Sequence, residues 1–283
     1  MKLEQAFRSG SVPLLRAIGI NKRYVERAPF SRRKFAVEAL KDAYLDVHAN
    51  AMNALIGASG SGKSTLASCL TMFETPDSGE IWFDGQEITR CGRSELRALR
   101  PLIQVVVQDS AGALNPRFTA AEVIAEPLQI QRRASGHELY QRVRGLIEEV
   151  GLPPDSASRS SREFSGGQRQ RLAIARAIAL EPKLLILDES LSSLDLVTQS
   201  QILDLLLDLG TRRSITYLLI SHDLRLVGDV ADFVAVMHKG SVVEQGSRST
   251  VLRSPSHSTT IQLMDFLREI ETGFEQALAG APR

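Results

Sequence analysis

One nine-residue segment constrains the fold of this chain more than any other feature. Residues 57–65 read Gly-Ala-Ser-Gly-Ser-Gly-Lys-Ser-Thr, after an apolar run at 51–56 and at the start of a helical pattern over 63–73. A glycine-rich loop between a buried strand and a helix turns backbone N–H groups toward an anion, at the positive end of the helix dipole. The segment therefore predicts an α/β domain with a phosphate-binding loop.

Two residues of this loop have side chains suited to a nucleotide. Lys63 is expected to reach the β- and γ-phosphates, and the Ser64 hydroxyl is a candidate ligand of Mg²⁺. The alternative is a glycine-rich turn that binds nothing, but the lysine and serine in register argue against it. The predicted nucleotide-binding residues are Gly57, Ala58, Ser59, Gly60, Ser61, Gly62, Lys63, Ser64 and Thr65.

A second segment places two acids at the end of an apolar strand. Residues 183–189 read Lys-Leu-Leu-Ile-Leu-Asp-Glu. A buried strand that ends in acids delivers them to the ligand edge of a parallel sheet. Asp188 is a candidate to hold Mg²⁺ through water, and Glu189 is a candidate general base for an attacking water. By itself the pair fits surface acids equally well; beside a phosphate loop the chemical interpretation is favoured.

A third segment, Phe-Ser-Gly-Gly-Gln at 164–168, precedes a helical run over 169–180. Two glycines and a serine at a helix N-terminus form a second potential anion site. They fit an ordinary helix cap as well, with Ser165 as the capping residue. Spacing alone leaves both possibilities open.

The pattern along the chain predicts one α/β unit with a helical insertion. Strands and helices alternate over most of the length, which favours a parallel sheet covered on both faces. Between about residues 110 and 164 the pattern becomes helical, with candidate helices at 121–130 and 137–150. The predicted organisation is an N-terminal extension at 1–13, a catalytic domain at 14–250 and a helical tail at 251–283.

Bulk properties argue against several functions. The net charge of +1 gives no general attraction to nucleic acid, and no nucleic-acid partner is predicted. No apolar run approaches the ~20 residues that span a bilayer, and no signal peptide is evident at the N-terminus. Any work at a membrane therefore requires a membrane-spanning partner chain.

Taken together, the motifs resemble those of the ATP-binding-cassette ATPase family. The segments GASGSGKST, FSGGQRQR, LLILDE and SSLD, followed by a histidine after a strand, occur in that family's order from about Leu14 to Gly246. The resemblance implies an α/β phosphate-loop fold with a mostly parallel core sheet, an antiparallel β subdomain and an inserted helical subdomain. It also implies ATP and Mg²⁺ as ligands, and ATP hydrolysis as the reaction.

The resemblance extends to individual residues. Gln108 is then the glutamine that contacts Mg²⁺ and senses a membrane partner, and Asp195 is the residue that communicates across a dimer. His222 is then a histidine at the γ-phosphate. The implied catalytic residues are Lys63, Gln108, Glu189 and His222, and the implied metal-site residues are Ser64, Gln108 and Asp188.

Adenine recognition is implied less directly. The first predicted strand is Leu14–Ile20, and a polar basic loop is expected after it. Tyr24 follows that strand and is the expected aromatic residue that stacks on the base. Phe30 and Phe35 lie nearby in the sequence and remain alternatives.

The resemblance also implies partners. Two cassettes meet head to tail, and each gives its signature residues, here Ser165, Gly166, Gly167 and Gln168, to the nucleotide of the other. The second cassette is either a sister ATPase or another copy of this chain. Two transmembrane permease subunits, and indirectly a solute-binding protein, complete a bacterial-type importer, with the ATPase peripheral on the cytoplasmic face of the membrane.

The phrases LTMFETPDSGEI and EPKLLILDESLSSLDLV resemble the second ATPase of peptide and nickel importers. The chain departs from that subfamily at Ser190, where proline is usual, and at His257-Ser-Thr-Thr260, where His-Pro-Tyr-Thr is usual. The alternative is a soluble cassette ATPase, although the coiled-coil insertion or second cassette of such proteins is missing here. A phosphate-loop kinase or GTPase is disfavoured by residues 164–168 and by the lack of an Asn-Lys-x-Asp sequence.

Overall fold

The fold is known from a computed structural model that describes residues 12–27, 34–107, 112, 114–192 and 194–266. Within these residues the strands are β1 (Leu15–Arg27), β2 (Lys34–Val47), β3 (Met52–Ile56), β4 (Ser78–Phe83), β5 (Gln86–Glu87), β6 (Ile103–Val106), β7 (Leu184–Asp188), β8 (Thr216–Ser221), β9 (Phe233–His238) and β10 (Ser241–Ser247). The helices are α1 (Lys63–Leu70), α2 (Arg93–Leu99), α3 (Ala120–Ile130), α4 (Gly136–Glu149), α5 (Gly166–Ile178), α6 (Leu196–Arg213) and α7 (Leu224–Val230).

The central sheet has six strands in the order β10-β9-β3-β8-β7-β6. Its strands run parallel except β10, which is antiparallel to β9. Every residue of β3 and β8 is buried, as expected for parallel strands covered on both faces. In register, Ile56 pairs with Ser221 and Asp188 pairs with Ile220. The segments that follow β3, β7 and β8 therefore meet at one edge of the sheet.

A second sheet is antiparallel, with four strands in the order β2-β1-β4-β5. On its inner face, Leu40, Leu45, Ile81 and Phe83 pack against helix α1 and one face of the central sheet. The predicted first strand, Leu14–Ile20, is too short: β1 continues to Arg27 because its pairing with β2 resumes beyond register shifts between Ala17 and Arg23. The basic loop that was expected after Ile20 is therefore largely strand.

The predicted helical insertion is present as α3 and α4. Val123, Ile124, Val143 and Ile147 lie in the same apolar core as the central sheet. Arg213 at the end of α6 forms a two-point ion pair with Glu149 at the end of α4, with distances of 2.7 and 2.6 Å. The insertion is thus joined to the core by packing and by charge.

The region after β10 continues with a π-helical turn at Ser249–Arg253 and a helix at 258–266. The Glu244 carboxylate accepts hydrogen bonds from the backbone N–H groups of Ser256 (2.8 Å) and His257 (3.1 Å), which fixes this segment against β10. In the part of the chain that the structure describes, no helix has the length and apolar character needed to span a bilayer.

Candidate nucleotide site

The phosphate loop lies at the carboxyl end of β3, and α1 begins at its last turn. Gly62 is the N-cap of α1 with φ of 106°, in the left-handed region that favours glycine. A Cβ at Gly62 would approach the Ala39 carbonyl oxygen to 2.6 Å, and one at Gly57 would approach the Met237 carbonyl oxygen to 2.2 Å. The glycines therefore let the loop lie against β2 and β9 while its backbone turns around an anion site.

Lys63 is 5% exposed, and its ammonium group is held inside the loop. Nζ donates to the carbonyl oxygens of Gly57 (2.9 Å) and Ala58 (3.1 Å). An ammonium has three donors, so among the described residues one is left for a ligand. Burial lowers the pKa of Lys63, and the nearby charges of Glu189 and Asp188 oppose that shift. The group is a fixed cation in a site suited to phosphate.

Ser64 and Asp188 bring two oxygen ligands together beside Lys63. The Ser64 hydroxyl donates to Oδ1 of Asp188 at 3.2 Å. Burial raises the pKa of Asp188, and Glu189 adds to the rise, whereas the Ser64 hydrogen bond and Lys63 lower it. Hydroxyl, carboxylate and phosphate oxygens are the ligands that Mg²⁺ prefers. The described residues contain no cluster of three or more His, Cys, Asp or Glu side chains that could hold a metal ion.

Glu189 follows β7 in a strained conformation, with φ of 47°. A left-handed conformation costs a residue other than glycine roughly 1–2 kcal/mol, and such strain concentrates at functional positions. The surrounding backbone maintains it: Glu189 N–H donates to the Ile220 carbonyl (3.0 Å), and the Glu189 carbonyl accepts from Ser192 N–H (3.3 Å) and Ser192 Oγ (2.8 Å). The carboxylate is thereby directed to the same edge as Lys63.

His222 follows β8, the strand next to β7. Its Nδ1 lies 3.6 Å from Oε1 of Glu189, too far for a hydrogen bond, and its side chain is 58% exposed. Asp223 caps α7 by accepting from the backbone N–H of Arg225 at 3.0 Å, which fixes the backbone beside the histidine. The structure therefore places His222 beside Glu189.

A cavity of about 580 Å³ lies over the phosphate loop. Its lining joins Lys63, Ser64 and Glu189 to residues of β2 and of the β9–β10 turn. Sequence reasoning missed that turn: Lys239 and Gly240 line the cavity, and Gly240 N–H donates to the Ser61 carbonyl at 2.9 Å. The available signal in the sequence was Gly240, because glycine commonly marks a turn.

The signature segment is folded as a helix cap. Ser165 Oγ accepts from Gln168 N–H (3.3 Å), and Gln168 Oε1 accepts from Ser165 N–H (3.0 Å). Gly166 and Gly167 lie inside the first turn of α5, so the helix begins earlier than the predicted run over 169–180. The reason is the capping box, which satisfies backbone donors of the first turn despite its glycines.

The described lining of the 580 Å³ cavity contains neither residues 165–168 nor Asp195. Asp195 instead caps α6: its carboxylate accepts from Thr198 N–H (2.9 Å) and Thr198 Oγ1 (2.7 Å). The predicted nucleotide-binding residues therefore form two separate groups, one at the phosphate loop and one at residues 165–168 and Asp195. Gln108 and Phe30 lie outside the described residues, and of Phe35 only the backbone pairing of β2 with β1 is known.

Tyr24 lies on β1 opposite Val37 of β2, and Val37 lines the cavity. We expect Tyr24→Ala to weaken ATP binding by roughly 1–3 kcal/mol, the magnitude of one aromatic–base stacking contact. Titration of a fluorescent ATP analogue measures the Kd. An unchanged Kd, with weaker binding in Phe30→Ala or Phe35→Ala, would transfer the stacking role to that phenylalanine.

Comparison with known proteins identifies the family. The profile described as "ABC transporter" matches residues 40–192. The glutathione import ATP-binding protein GsiA of Salmonella typhimurium is 42% identical over 253 residues, which are 89% of this chain but only 41% of GsiA. A probable peptide ABC transporter ATP-binding protein of Sinorhizobium fredii is 40% identical over 252 residues, 89% of this chain and 71% of that protein.

Similar solved structures come from the same family as these relatives. A dimeric ATP-binding cassette in a post-hydrolysis state with ADP and Pi has a TM-score of 0.72 at 27% identity, covering 83% of this chain and 98% of that one. Clostridium perfringens cbiO1, part of the cbiONQ transporter complex, has a TM-score of 0.75 at 27% identity, covering 94% of this chain and 100% of that one. These matches confirm the fold predicted from the motifs. The chain belongs to the ABC transporter family and carries that family's ATP-binding cassette.

Proposed function

We propose that this chain hydrolyses ATP at a site completed by a second cassette, and that the reaction drives import through separate membrane subunits. The observation that carries the proposal is the meeting of Lys63, Ser64, Asp188, Glu189 and His222 at one edge of the sheet. These residues provide a cation, metal ligands and a base at that edge, where Lys63, Ser64 and Glu189 line one cavity. Transfer of a phosphoryl group to water requires these groups.

Each side chain has a distinct role in this proposal. Lys63 binds the β- and γ-phosphates, and Ser64 and Asp188 would hold Mg²⁺, with Gln108 as the expected further ligand. Mg²⁺ held there would supply positive charge to the phosphate oxygens. Glu189 accepts the proton of the attacking water, and His222 contacts the γ-phosphate from the neighbouring strand.

The second cassette supplies the missing side of the site. Residues 165–168 and Asp195 do not line the cavity over this chain's own phosphate loop. The N–H groups and hydroxyl of residues 165–168 suit a phosphate that another chain presents, where they would complete the charge stabilisation. The partner is a sister ATPase or a second copy of this chain.

A groove between the core and the helical insertion is the proposed contact for the permease subunits. It has a volume of about 530 Å³ and an apolar floor that includes Val106 and Leu114, with Phe73 and Ile130 exposed at its rim. Val107, the residue before Gln108, also lines it. The domain at 14–250, with its insertion at about 110–164, thus presents a surface next to the residue expected to sense the membrane partner.

Positive charge beside the groove indicates which kind of permease segment would bind there. Arg93, Arg97 and Arg100 line an adjoining cavity of about 390 Å³. In the described part of the chain no acid lies within ion-pair distance of these three arginines, whereas Arg142 and Arg144 on α4 have such partners. A permease segment with apolar residues and an acidic flank fits this surface best. The chain is then peripheral to the membrane on its cytoplasmic face.

The cargo that we propose is a small peptide or glutathione, because the relatives are named for glutathione import and for peptide transport. A solute-binding protein outside the membrane would select it. Nickel, the cargo of related importers, remains the alternative. The cargo would not contact this chain, so the residues described above do not depend on which is correct.

Substitution of Ile130 tests the membrane assignment. Ile130→Glu introduces a charge at the groove rim and is expected to release the chain from its permease subunits without changing ATP affinity. Tyr140→Glu is the matched control, because Tyr140 on α4 is 60% exposed and Ile130 is 61% exposed, but Tyr140 does not line the groove. The measurement is the fraction of chain that copurifies with washed membranes. Equal retention of both variants contradicts the proposed contact, and no membrane association of the wild type favours a soluble ATPase.

A further inference from the structure

Helices α5 and α6 make one unusually close contact at their N-terminal ends. A Cβ at Gly167, in the first turn of α5, would lie 2.5 Å from Cγ2 of Thr198 on α6, and 3.8 Å from Thr198 Cβ and Oγ1. A separation of 2.5 Å is far below a normal carbon–carbon contact. A Cβ at residue 167 would therefore fit only if the Thr198 methyl group or one of the two helices moved.

The same threonine holds Asp195. Its backbone N–H donates to Oδ1 at 2.9 Å, and its hydroxyl donates to Oδ2 at 2.7 Å. These two donors, the amide first, hold the pKa of Asp195 below its usual value. Both carboxylate oxygens are thus fixed by one residue.

The methyl and the hydroxyl of Thr198 share a single rotatable bond. A β-branched side chain in a helix has few allowed χ1 angles. Any displacement of the signature turn that pushes on the methyl group must rotate the hydroxyl away from Asp195 or move α6 with it. The contact therefore converts a movement of Gly167 into a movement of Asp195.

We infer that Thr198 is a positioning residue that couples the signature turn 165–168 to Asp195, so that a cassette presents both elements to its partner as one unit. The inference rests on the proposed function, since it concerns elements offered to a second chain's nucleotide. It goes beyond that function because it assigns the coupling to a residue outside every motif.

The coupling also has a path to the base of the same chain. Gln199, next to Thr198, donates from Nε2 to the Leu191 carbonyl at 3.4 Å. Leu191 lies in the turn that is closed by Ser192 on the Glu189 carbonyl at 2.8 Å. Contact with a partner's phosphate at residues 165–168 can thus reach Glu189 through α6.

Two substitutions of Thr198 separate the effect of its methyl group from that of its hydroxyl. Thr198→Val keeps the methyl contact and loses the hydroxyl, whereas Thr198→Ser keeps the hydroxyl and loses the methyl. In Thr198→Val we expect the pKa of Asp195, followed by ¹³C carboxylate NMR, to rise, and kcat for ATP to fall about tenfold, as for loss of one hydrogen bond to a charged group. The KM should change little, because the chain's own phosphate loop is intact. Thr198→Ser should keep the low pKa.

Thr211 supplies the control, since it lies on the same helix and its hydroxyl donates only to the Leu207 carbonyl, at 3.1 Å. Thr211→Val should change neither the Asp195 pKa nor kcat. An unaltered Asp195 pKa in Thr198→Val overturns the inference. So does an equal loss of kcat in Thr211→Val, because that would reflect a general effect on α6.

A double-substitution cycle tests the methyl contact without any reference to ATP. Gly167→Ala should lower Tm by several degrees in the wild-type chain and by much less in the Thr198→Ser background, where the clashing methyl is absent. An equal fall in both backgrounds overturns the coupling. Because Tm and the carboxylate pKa do not depend on hydrolysis, they can fail or succeed separately from the proposed ATPase function, which Lys63→Ala tests.

Discussion

Replacement of Lys63 by alanine is expected to abolish ATP hydrolysis and to weaken ATP binding. The ammonium is buried and fixed by the carbonyl oxygens of Gly57 and Ala58, so it meets the phosphates without reorganisation. Loss of one preorganised electrostatic contact costs about 10²–10³ in kcat, and loss of a full charge should cost at least that much. The assay is steady-state phosphate release by the assembled complex, with ATP affinity measured in parallel.

Lys41 offers the matched control. It also lines the cavity, but it is exposed and pairs with Glu38 at 3.0 Å. Lys41→Ala should reduce turnover only modestly, since an exposed ion pair contributes little and water can replace the ammonium. Wild-type turnover in Lys63→Ala, or equal losses in the two variants, would contradict the assigned role of the phosphate loop.

Glu189→Gln is expected to stop hydrolysis while ATP binding persists. The amide keeps the size of the side chain and can keep the backbone turn, but it cannot accept the proton of the attacking water. General-base catalysis contributes about 10²–10⁴ to a rate, so kcat should fall by that factor with little change in ATP affinity. Bound ATP should then accumulate in a closed dimer, detectable by light scattering.

Glu38→Gln is the control for this substitution, because Glu38 is a second carboxylate on the cavity wall. Its conversion to an amide should leave hydrolysis nearly intact. If Glu189→Gln hydrolyses ATP at the wild-type rate, another group is the base. If it neither hydrolyses ATP nor closes with ATP, the substitution has damaged more than the base.

The sequence predicted the parts of the site that depend on spacing within one segment. Lys63 and Ser64 are fixed by the loop that contains them, and Asp188 and Glu189 by the strand that precedes them. Their meeting at one sheet edge also followed from the sequence, because parallel strands present their carboxyl ends together. His222 needed the family resemblance, since a histidine after a strand has no distinctive local pattern.

Features that depend on tertiary contacts were not predictable in the same way. The β9–β10 turn reaches the phosphate loop only because β9 lies beside β3, a neighbour relation that hydrophobic periodicity does not encode. The length of β1 depends on resumed pairing with β2 across register shifts. The early start of α5 depends on side-chain capping by Ser165 and Gln168, which offsets the low helix propensity of two glycines.

The central claim is that each ATP is enclosed by the phosphate loop of one chain and the signature turn of another. Two dimers, each made of two linked chains, test this claim. Each dimer carries one Lys63→Ala and one Ser165→Arg substitution. In the first dimer the substitutions lie on different chains, and in the second they lie on the same chain beside an unmodified one. If the partner is a sister ATPase, its matching residues are used.

Phosphate release by the two dimers, relative to the unmodified dimer, is the decisive measurement. The account predicts that the first dimer keeps one intact site and substantial activity, because both defects fall on the same ATP. It predicts that the second dimer is inactive, because each of its sites then lacks one component. The reverse result, activity only when both substitutions share a chain, would show that the phosphate loop and signature turn act on the same ATP within one chain, and would contradict the account.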